Sequence, residues 1–330
     1  MKLSINEVTE LCRTAFANGG VSGHQARPTI DSLTLAEAQG LSSHGISRVP
    51  MYLAHVRHQR VDPNATPVVR HQSGASTLID ACNGFAFPAC RLAVEHAMEQ
   101  SRRNGIAIGA VTSSHHFGVA GNHLLPMADA GMIGLAMGNS PAAMPAWGGK
   151  RSTFGTNPIA AIFPRMNKTP LLIDLSLSEV ARGKIMVAAK SGAPIPQGWA
   201  LDSEGNPTTD SKKALAGMML PAGGVKGAML ALMVELLVTT LTGAHFGAEA
   251  DSFFVDAGNQ PQLGQVFIGI NPDLMAGRNV YDERITALLD FISQDPEVRI
   301  PGERRFQLQA KAQADGLELP DALIEQLRTL

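Results

Sequence analysis

A histidine and an arginine stand four residues apart in the segment SSHGISR, residues 42–48. If this segment begins a helix, His44 and Arg48 share one face. A histidine titrates near neutrality and can donate a proton in general acid catalysis, and Ser43 could orient its ring. An arginine grips a carboxylate through two parallel hydrogen bonds. The pair predicts a site that binds and protonates a small carboxylated molecule; the alternative is a capped helix start with a surface arginine.

The segment SSHHFGVAGN, residues 113–122, is a second candidate because it follows a predicted strand, Ile106–Val111. Small residues at the exit of a strand leave backbone N–H groups free to cradle a phosphate. The neighbours His115 and His116 also suggest a metal, but no carboxylate stands at a supporting spacing. We therefore predict no metal site here, and buried, hydrogen-bonded histidines are the commoner explanation.

Three further segments place glycines or cations at turns. Gly-Thr-Asn-Pro at 155–158 precedes a strand and aims polar side chains near its mouth. The segment PAGGVKG, 221–227, precedes an apolar helix, where Lys226 could meet a phosphate. The segment IPGERRF, 300–306, carries paired arginines after a Pro-Gly turn. Each has a plainer alternative: an ordinary turn, a flexible loop with a solvated lysine, or surface arginines.

Composition limits the class of protein. The chain has 330 residues, 45% hydrophobic and 17% charged, which predicts a folded globular protein of about two domains. A net charge of -2 gives no basic surplus for nucleic acid. Three cysteines at no metal-like spacing predict a reducing cytoplasm without disulfides. The N-terminus lacks the features of a signal peptide, and Glu235 within the apolar stretch 228–246 favours a buried core helix over a membrane span.

The elements that must position these residues are read from hydrophobic periodicity. Helices are predicted at 5–18, 24–39, 48–58, 88–103, 180–190, 225–241 and 320–327, and strands at 76–80, 106–111, 131–137, 158–163, 171–174 and 265–270. Helical ends thus surround a mixed centre. We predict a helical domain from residues 1–72 and 275–330, and an α/β nucleotide-binding and catalytic domain from residues 73–274. No G-x-G-x-x-G follows a strand, so a Rossmann fold has no local support.

Taken in order, SHGISR, SSHHFG, FGTNP and GGVKG resemble the malate/L-lactate dehydrogenase-like family of NAD(P)-dependent oxidoreductases, which is distinct from the Rossmann lactate and malate dehydrogenases. The resemblance covers nearly the whole chain. The stretches DACNGFA, SSHHFG and PGERRF look most like the branch that reduces delta-1-pyrroline-2-carboxylate and delta-1-piperideine-2-carboxylate with NADPH to L-proline and L-pipecolate. The family resemblance implies a homodimer with an α/β (α+β), non-Rossmann fold, in which helices flank a mainly antiparallel central sheet.

The resemblance also implies roles for individual residues. His44 matches the proton donor, Ser43 its relay partner, Arg48 the clamp on the substrate carboxylate and Thr156 a further substrate contact. The implied cofactor is NADPH, with NADH possible, and no metal is implied. The residues that match cofactor contacts are His116, Phe117, Gly118, Val119, Ala120, Asp174, Leu175, Ser176, Val225, Lys226, Ile300, Pro301, Gly302, Glu303, Arg304, Arg305 and Phe306.

One stretch departs from the imine-reductase branch. That branch carries an acidic relay residue in a context like HGD after the strand that ends near Asp174, whereas this chain has Arg182-Gly183-Lys184. Lys184 cannot hold an imidazolium as a carboxylate would, and the RGK form looks more like the 2-hydroxy-acid dehydrogenase members.

The leading prediction is reduction of a cyclic 2-imino acid by NADPH. The first alternative is a 2-hydroxy-acid dehydrogenase of the malate, L-lactate or ureidoglycolate type. A non-catalytic ligand-binding protein and a metal hydrolase that uses His115 and His116 are more distant alternatives. We expect no nucleic acid and no membrane among the partners.

Overall fold

The computed structural model describes residues 1–330. Its largest sheet has seven strands. Its order is β2-β3-β4-β13-β5-β8-β9, and only the pair β3–β4 is parallel. The expected non-Rossmann, mainly antiparallel sheet is therefore confirmed. The fourteen strands are β1 Lys2–Leu3, β2 Val68–Ser73, β3 Ser76–Asp80, β4 Ile106–Ser114, β5 Ile133–Gly138, β6 Met144–Pro145, β7 Ser152–Phe154, β8 Ile159–Arg165, β9 Lys168–Leu175, β10 Ala200–Leu201, β11 Pro207–Thr208, β12 Met218–Met219, β13 Leu263–Ile270 and β14 Leu317–Glu318.

Helices cover both faces of this sheet, because side chains alternate along its central strands. Val111 and Phe267 point into the core beneath α4 and α5, whereas Ala110 and Val266 point into the core beneath α8. The eleven helices are α1 Ile5–Asn18, α2 Gly23–Ala38, α3 Val49–Arg57, α4 Ala86–Asn104, α5 Leu125–Asp129, α6 Arg182–Ser191, α7 Ser211–Ala216, α8 Val225–Thr242, α9 Arg278–Ile292, α10 Glu303–Asp315 and α11 Asp321–Thr329.

The two ends of the chain pack together. Strand β1 pairs with β14, and the Met1 amino group donates to the Leu319 carbonyl at 2.9 Å. One core cluster combines Phe16 and Tyr52 from the N-terminal part with Ile324 from the C-terminal part. Strand β2 belongs to the central sheet and α9 packs against β8. The division into a helical domain of residues 1–72 and 275–330 and an α/β domain of residues 73–274 stays a prediction.

Helix α8 is the one helix long and apolar enough to cross a membrane by length and composition alone. It packs against β4, β5 and β13, and its Glu235 is buried. The Glu235 carboxylate accepts hydrogen bonds from Asn157 Nδ2 at 2.6 Å and from the Gly247 N–H at 2.7 Å. The predicted burial therefore holds for one face only, because Met229, Met233 and other apolar side chains on the opposite face are exposed.

Candidate active site

His44 and Arg48 come from two consecutive 3-10 turns, Ser42–His44 and Ile46–Arg48. The predicted helix 48–58 is confirmed as α3, Val49–Arg57. His44 and Arg48 do not share a face of one α-helix, because both precede α3. The backbone between the two turns, at Gly45, has φ -97° and ψ -142°, which interrupts any helix. A Cβ at Gly45 would lie 3.1 Å from the Glu37 Cα of helix α2, so this close approach needs a glycine.

The side chains of His44 and Arg48 nevertheless converge. Ser43 Oγ lies 3.0 Å from His44 Nδ1, within hydrogen-bond distance. Arg48 Nε donates to the Ser43 carbonyl at 2.6 Å, which keeps the guanidinium beside the same turn. Its terminal N–H groups meet no carboxylate in the structure. The Ser43 hydroxyl thus orients the His44 imidazole, and the Arg48 guanidinium lies beside the same turn. The catalytic and binding roles of the three residues stay predictions.

The surroundings of His44 keep it neutral in the free protein. Burial first, and then the positive charges of Arg48 and Arg305, lower the pKa of His44 to about 4, although the nearby Asp174 carboxylate opposes them. An anion bound at Arg48 would offset part of that positive charge and so raise the pKa again. The pair can therefore couple the binding of an acid to the protonation of the imidazole.

His116 stacks against His44, with ring centroids 5.6 Å apart and planes inclined by 26°. Tyr52 Oη lies 2.6 Å from His116 Nδ1. Burial raises the pKa of Tyr52 and lowers that of His116, so both groups of this hydrogen bond are neutral. Tyr52 was not singled out by its sequence context, since an apolar helix pattern around an aromatic residue indicates only core packing.

His115 belongs to a separate buried chain of side chains. Arg60 Nη1 lies 3.1 Å from His55 Nε2, which also lies 3.1 Å from the Val255 carbonyl, and His55 Nδ1 lies 2.9 Å from His115 Nε2. One ring nitrogen of each of His115 and His116 is thus hydrogen-bonded to a protein side chain. No group of three or more histidine, cysteine, aspartate or glutamate side chains is arranged to hold a metal. The metal hydrolase stays an untested alternative.

Arg60 fixes the loop 251–259 beside the site. It is fully buried and donates to the carbonyls of Asp251 at 2.9 Å, Ser252 at 3.1 Å and Asn259 at 3.0 Å. Replacement by methionine, Arg60→Met, removes all of these hydrogen bonds between α3's end and the loop, which should lower the free energy of unfolding by about 3 kcal/mol. Urea denaturation measures the loss. The exposed neighbour gives a control: Arg57→Met should change the free energy of unfolding by less than about 0.5 kcal/mol, and equal losses in both variants would contradict this assignment.

A cleft of about 690 Å³ opens beside β9, between residues 39–41 and 298–308. Its volume lies in the range of cofactor pockets. Arg305 Nη1 pairs with Asp174 Oδ2 at 2.8 Å, and the Gly121 N–H donates to the same oxygen at 3.2 Å. Arg299 and Arg304 line the cleft, are exposed and form no ion pair. These cations fit the phosphates of a dinucleotide.

The wall of this cleft depends on Gly302. Its φ of 93° lies in the left-handed region, and a Cβ there would lie 2.8 Å from the Leu172 Cβ. The Leu172 N–H donates to the Pro301 carbonyl at 3.1 Å, so the segment lies directly on β9. This hydrogen bond holds residues 300–306 against the strand that ends near Asp174. The segment lies so close to Leu172 that position 302 needs a glycine.

The other predicted cofactor residues offer mainly backbone. The side chains of Phe117, Val119 and Ala120 are buried in the core, and Gly118 has a φ of 71° against the Phe87 ring. What the segment 116–120 can present to a ligand is therefore its peptide groups and the His116 ring.

Leu177, just beyond the end of β9, is hydrogen-bonded to two further segments. Its N–H donates to the Thr156 carbonyl at 2.8 Å, and its carbonyl accepts from Ala222 N–H at 2.9 Å. Thr156 is therefore next to Leu175 and Ser176, and the loop that leads to α8 is next to both. Val225 and Lys226 are exposed at the N-terminus of α8. The Lys226 side chain forms no hydrogen bond or ion pair with His44 or Asp174.

Two residues near Arg48 were not selected from the sequence. Arg182 begins α6, and its Cζ lies 5.2 Å from the centroid of the Phe254 ring. Arg48 Cζ lies 5.6 Å from the same centroid. Phe254 stands in the loop that Arg60 holds, about 200 residues along the chain from Arg48, so no local pattern connects them. Lys184 is exposed on α6.

The chain is similar to known proteins in both sequence and fold. A family model described as malate/L-lactate dehydrogenase matches residues 3–328. The chain is 46% identical over 326 residues, 99% of this chain and 97% of the relative, to a (2R)-3-sulfolactate dehydrogenase (NADP(+)) of Chromohalobacter salexigens. The crystal structure of a delta1-piperideine-2-carboxylate reductase from Pseudomonas syringae superimposes with a TM-score of 0.93 at 36% identity, covering 100% of this chain and 99% of that one. The sulfolactate dehydrogenase from Methanocaldococcus jannaschii superimposes with a TM-score of 0.91 at 32% identity, covering 100% and 96%.

Proposed function

The chain belongs to the malate/L-lactate dehydrogenase family of NAD(P)-dependent oxidoreductases, and from that premise we propose that it interconverts a small 2-hydroxy acid and its 2-oxo acid with NADP(H). Within this class we propose 3-sulfolactate and 3-sulfopyruvate as the substrate pair. The observation that carries the proposal is the convergence of His44, Ser43 and Arg48, directly after Leu41 in the wall of a cleft of cofactor size.

Each of these groups has a defined task in the proposed reaction. The bound nicotinamide supplies or takes up the hydride at C2 of the substrate. Arg48 holds the C1 carboxylate through its terminal N–H groups, of which only Nη1 has a partner in the structure, the weak acceptor Met51 Sδ at 3.4 Å. His44 donates the proton to the 2-oxo oxygen during reduction and removes it during oxidation, and Ser43 holds the ring at Nδ1.

Two observations favour the sulfonated acid over the cyclic imine. The chain has more identical residues in common with the sulfolactate dehydrogenase of C. salexigens than with the piperideine reductase. The stretch 182–184 also carries two cations and no acid, where an imine-reductase relay residue is expected. The close superposition with the piperideine reductase supports the imino acids as the second candidate substrates.

A steady-state panel tests the proposal. NADPH oxidation is followed with 3-sulfopyruvate, oxaloacetate, pyruvate, delta-1-pyrroline-2-carboxylate and delta-1-piperideine-2-carboxylate, each at several concentrations. We expect the highest kcat/KM with 3-sulfopyruvate. A higher value with either cyclic imine would favour the second candidate, and no turnover with any of the five would contradict oxidoreductase action on this class of acid.

The pH dependence of the reaction should differ between free and bound enzyme. Reduction needs a protonated His44, so kcat/KM should fall as pH rises through the free-enzyme pKa of about 4. In the complex the substrate carboxylate offsets Arg48, so kcat should fall only at a higher pH. Profiles of both constants for 3-sulfopyruvate between pH 4 and pH 9 measure the difference, and coincident profiles would contradict this coupling.

Arg304 is the cation that we propose selects NADPH over NADH. It lines the cleft with no ion pair, and a 2′-phosphate needs a nearby arginine or lysine. Arg304→Gln should weaken NADPH binding by roughly tenfold to a hundredfold, since a charge-assisted hydrogen bond contributes about 1.5–3 kcal/mol, and should leave NADH binding nearly unchanged. Fluorescence titration with both cofactors measures this, with the exposed Arg102→Gln on α4 as a control. Equal losses for both cofactors would assign Arg304 another role.

The homodimer expected from the family resemblance is also a proposal. The exposed apolar face of α8, which includes Met229, Leu230, Met233 and Leu236, offers a second copy a surface to cover. Light scattering should give about twice the 34.8 kDa mass of one chain, and a monomer at micromolar concentration would contradict the proposal. The cytoplasmic location stays a prediction.

A further inference from the structure

Two guanidinium groups share one aromatic ring at the substrate side of the site. Arg48 Cζ lies 5.6 Å and Arg182 Cζ 5.2 Å from the centroid of Phe254. Because both are within the usual cation–π range of about 6 Å of one centroid, the two groups are no more than about 11 Å apart. Phe254 is 51% exposed, so the space around it is open to a small molecule.

Neither guanidinium has an anionic partner. All the ion pairs of the chain involve other groups, although both arginines are partly buried. Burial lowers the pKa of each guanidinium, which means that each positive charge is poorly solvated. A poorly solvated charge without a counter-ion is unfavourable unless an anion comes from outside the chain. Arg48 takes the C1 carboxylate in the proposed reaction, and Arg182 is left without one.

The contacts of Arg182 fix its position and leave donors free. Its Nη2 donates to the Leu215 carbonyl at 2.9 Å, which ties the start of α6 to α7. A guanidinium has five N–H donors, so several remain for a ligand. The ring of Phe254 is held in turn by the loop that Arg60 fixes. Arg182 is therefore held by the Leu215 carbonyl, and the Phe254 ring that it contacts is held by the loop bound to Arg60.

The spacing fits an acid with two anionic groups. A three-carbon acid with an anion on its third carbon separates the two anionic centres by about 4 Å. Hydrogen bonds of about 2.8 Å then join each anion to a guanidinium nitrogen. The sum of these lengths, about 10 Å, stays within the limit of about 11 Å that the two ring contacts set on the separation of the guanidinium groups. A monoanion such as pyruvate would satisfy only one of them.

We infer that Arg182 binds a second strong anion on C3 of the substrate, a sulfonate or a carboxylate, and so selects dianionic 2-oxo and 2-hydroxy acids over monoanionic ones. This inference rests on the proposed function of the same site. Arg182 acts in binding and in specificity; the hydride and proton steps do not need it. Comparison of 3-sulfopyruvate with oxaloacetate in the test below distinguishes a preference for a sulfonate from a preference for a carboxylate on C3.

The kinetic test compares 3-sulfopyruvate, oxaloacetate and pyruvate with wild type, Arg182→Met and Lys184→Met. Lys184 is exposed on the same helix, so its variant removes the same charge without touching the Phe254 ring. We expect Arg182→Met to raise KM for the preferred dianion roughly tenfold to a hundredfold and KM for pyruvate by less than threefold. Equal changes for dianion and monoanion, or the same change in Lys184→Met, would overturn the inference.

A binding measurement keeps the inference testable if no turnover is found. The rise in melting temperature caused by 3-sulfolactate is compared with that caused by lactate in the presence of NADP+. Wild type should be stabilised more by 3-sulfolactate, and Arg182→Met should lose that difference while its own melting temperature stays near that of wild type. Equal stabilisation of wild type by both acids would overturn the clamp, whereas absent turnover with retained selectivity would contradict only the proposed function.

Discussion

Replacement of His44 by asparagine should lower kcat for 2-oxo-acid reduction by roughly two to four powers of ten, the usual contribution of a general acid. Asparagine keeps a similar size and can still meet Ser43 Oγ, which lies 3.0 Å from the ring nitrogen of His44. It has no group that can gain and lose a proton near neutral pH. The loss should therefore appear in kcat, while the dissociation constant of NADPH stays within about twofold of wild type.

A matched substitution separates this effect from a general disturbance. His58 is exposed just beyond α3 and forms no hydrogen bond through its side chain, so His58→Asn should keep wild-type turnover. The measurement is stopped-flow NADPH oxidation at saturating 2-oxo acid. Near-normal turnover in His44→Asn would contradict the role of this imidazole.

Replacement of Arg48 by lysine should mainly weaken the binding of the acid. A lysine keeps the charge but loses the planar fork that binds a carboxylate through two hydrogen bonds. It also loses the Nε contact with the Ser43 carbonyl at 2.6 Å, which orients the group. We expect KM for the 2-oxo acid to rise roughly thirtyfold, equivalent to about 2 kcal/mol.

The exposed Arg57 provides the matched control for this variant. Arg57→Lys should leave KM within about twofold of wild type, because it lies on the solvent side of α3. The substrate dependence of initial rates gives both values. Unchanged affinity and rate in Arg48→Lys would rule out the clamp, and an equal loss for NADPH binding would indicate a general distortion of the turn.

Hydrophobic periodicity was sufficient for most of the central sheet. The alternation in Ile106–Val111 and Gln265–Ile270 predicted strands that became β4 and β13. Strand β2 was missed because Val68–Ser73 is exposed on an edge and follows a Pro-containing connector, so it lacks a buried face. The break at Gly45, which keeps His44 and Arg48 off one α-helical face, was not predicted because it depends on the close approach to Glu37, a tertiary contact that no local propensity encodes.

The residues that complete the site were less accessible to sequence reasoning. Tyr52 is hydrogen-bonded to His116, 64 residues further along the chain, and Phe254 contacts Arg48 and Arg182 from a distant loop. Such partners are set by how helices and loops pack on the sheet. His44 and Arg48 could be selected because a titratable ring and a guanidinium near each other in sequence suggest chemistry by themselves.

Transfer of deuterium from the cofactor tests the central claim most directly. The enzyme is supplied with NADPH carrying one deuterium at C4 of the nicotinamide, in separate experiments with each of the two C4 positions labelled, and with 3-sulfopyruvate. The account predicts that one of the two labelled cofactors gives 3-sulfolactate with one deuterium at C2, detected by mass spectrometry, and that the other gives unlabelled product. Product that lacks deuterium at C2 with both labelled cofactors, or no product at all, would contradict the claim that His44 and Arg48 present this acid to a nicotinamide.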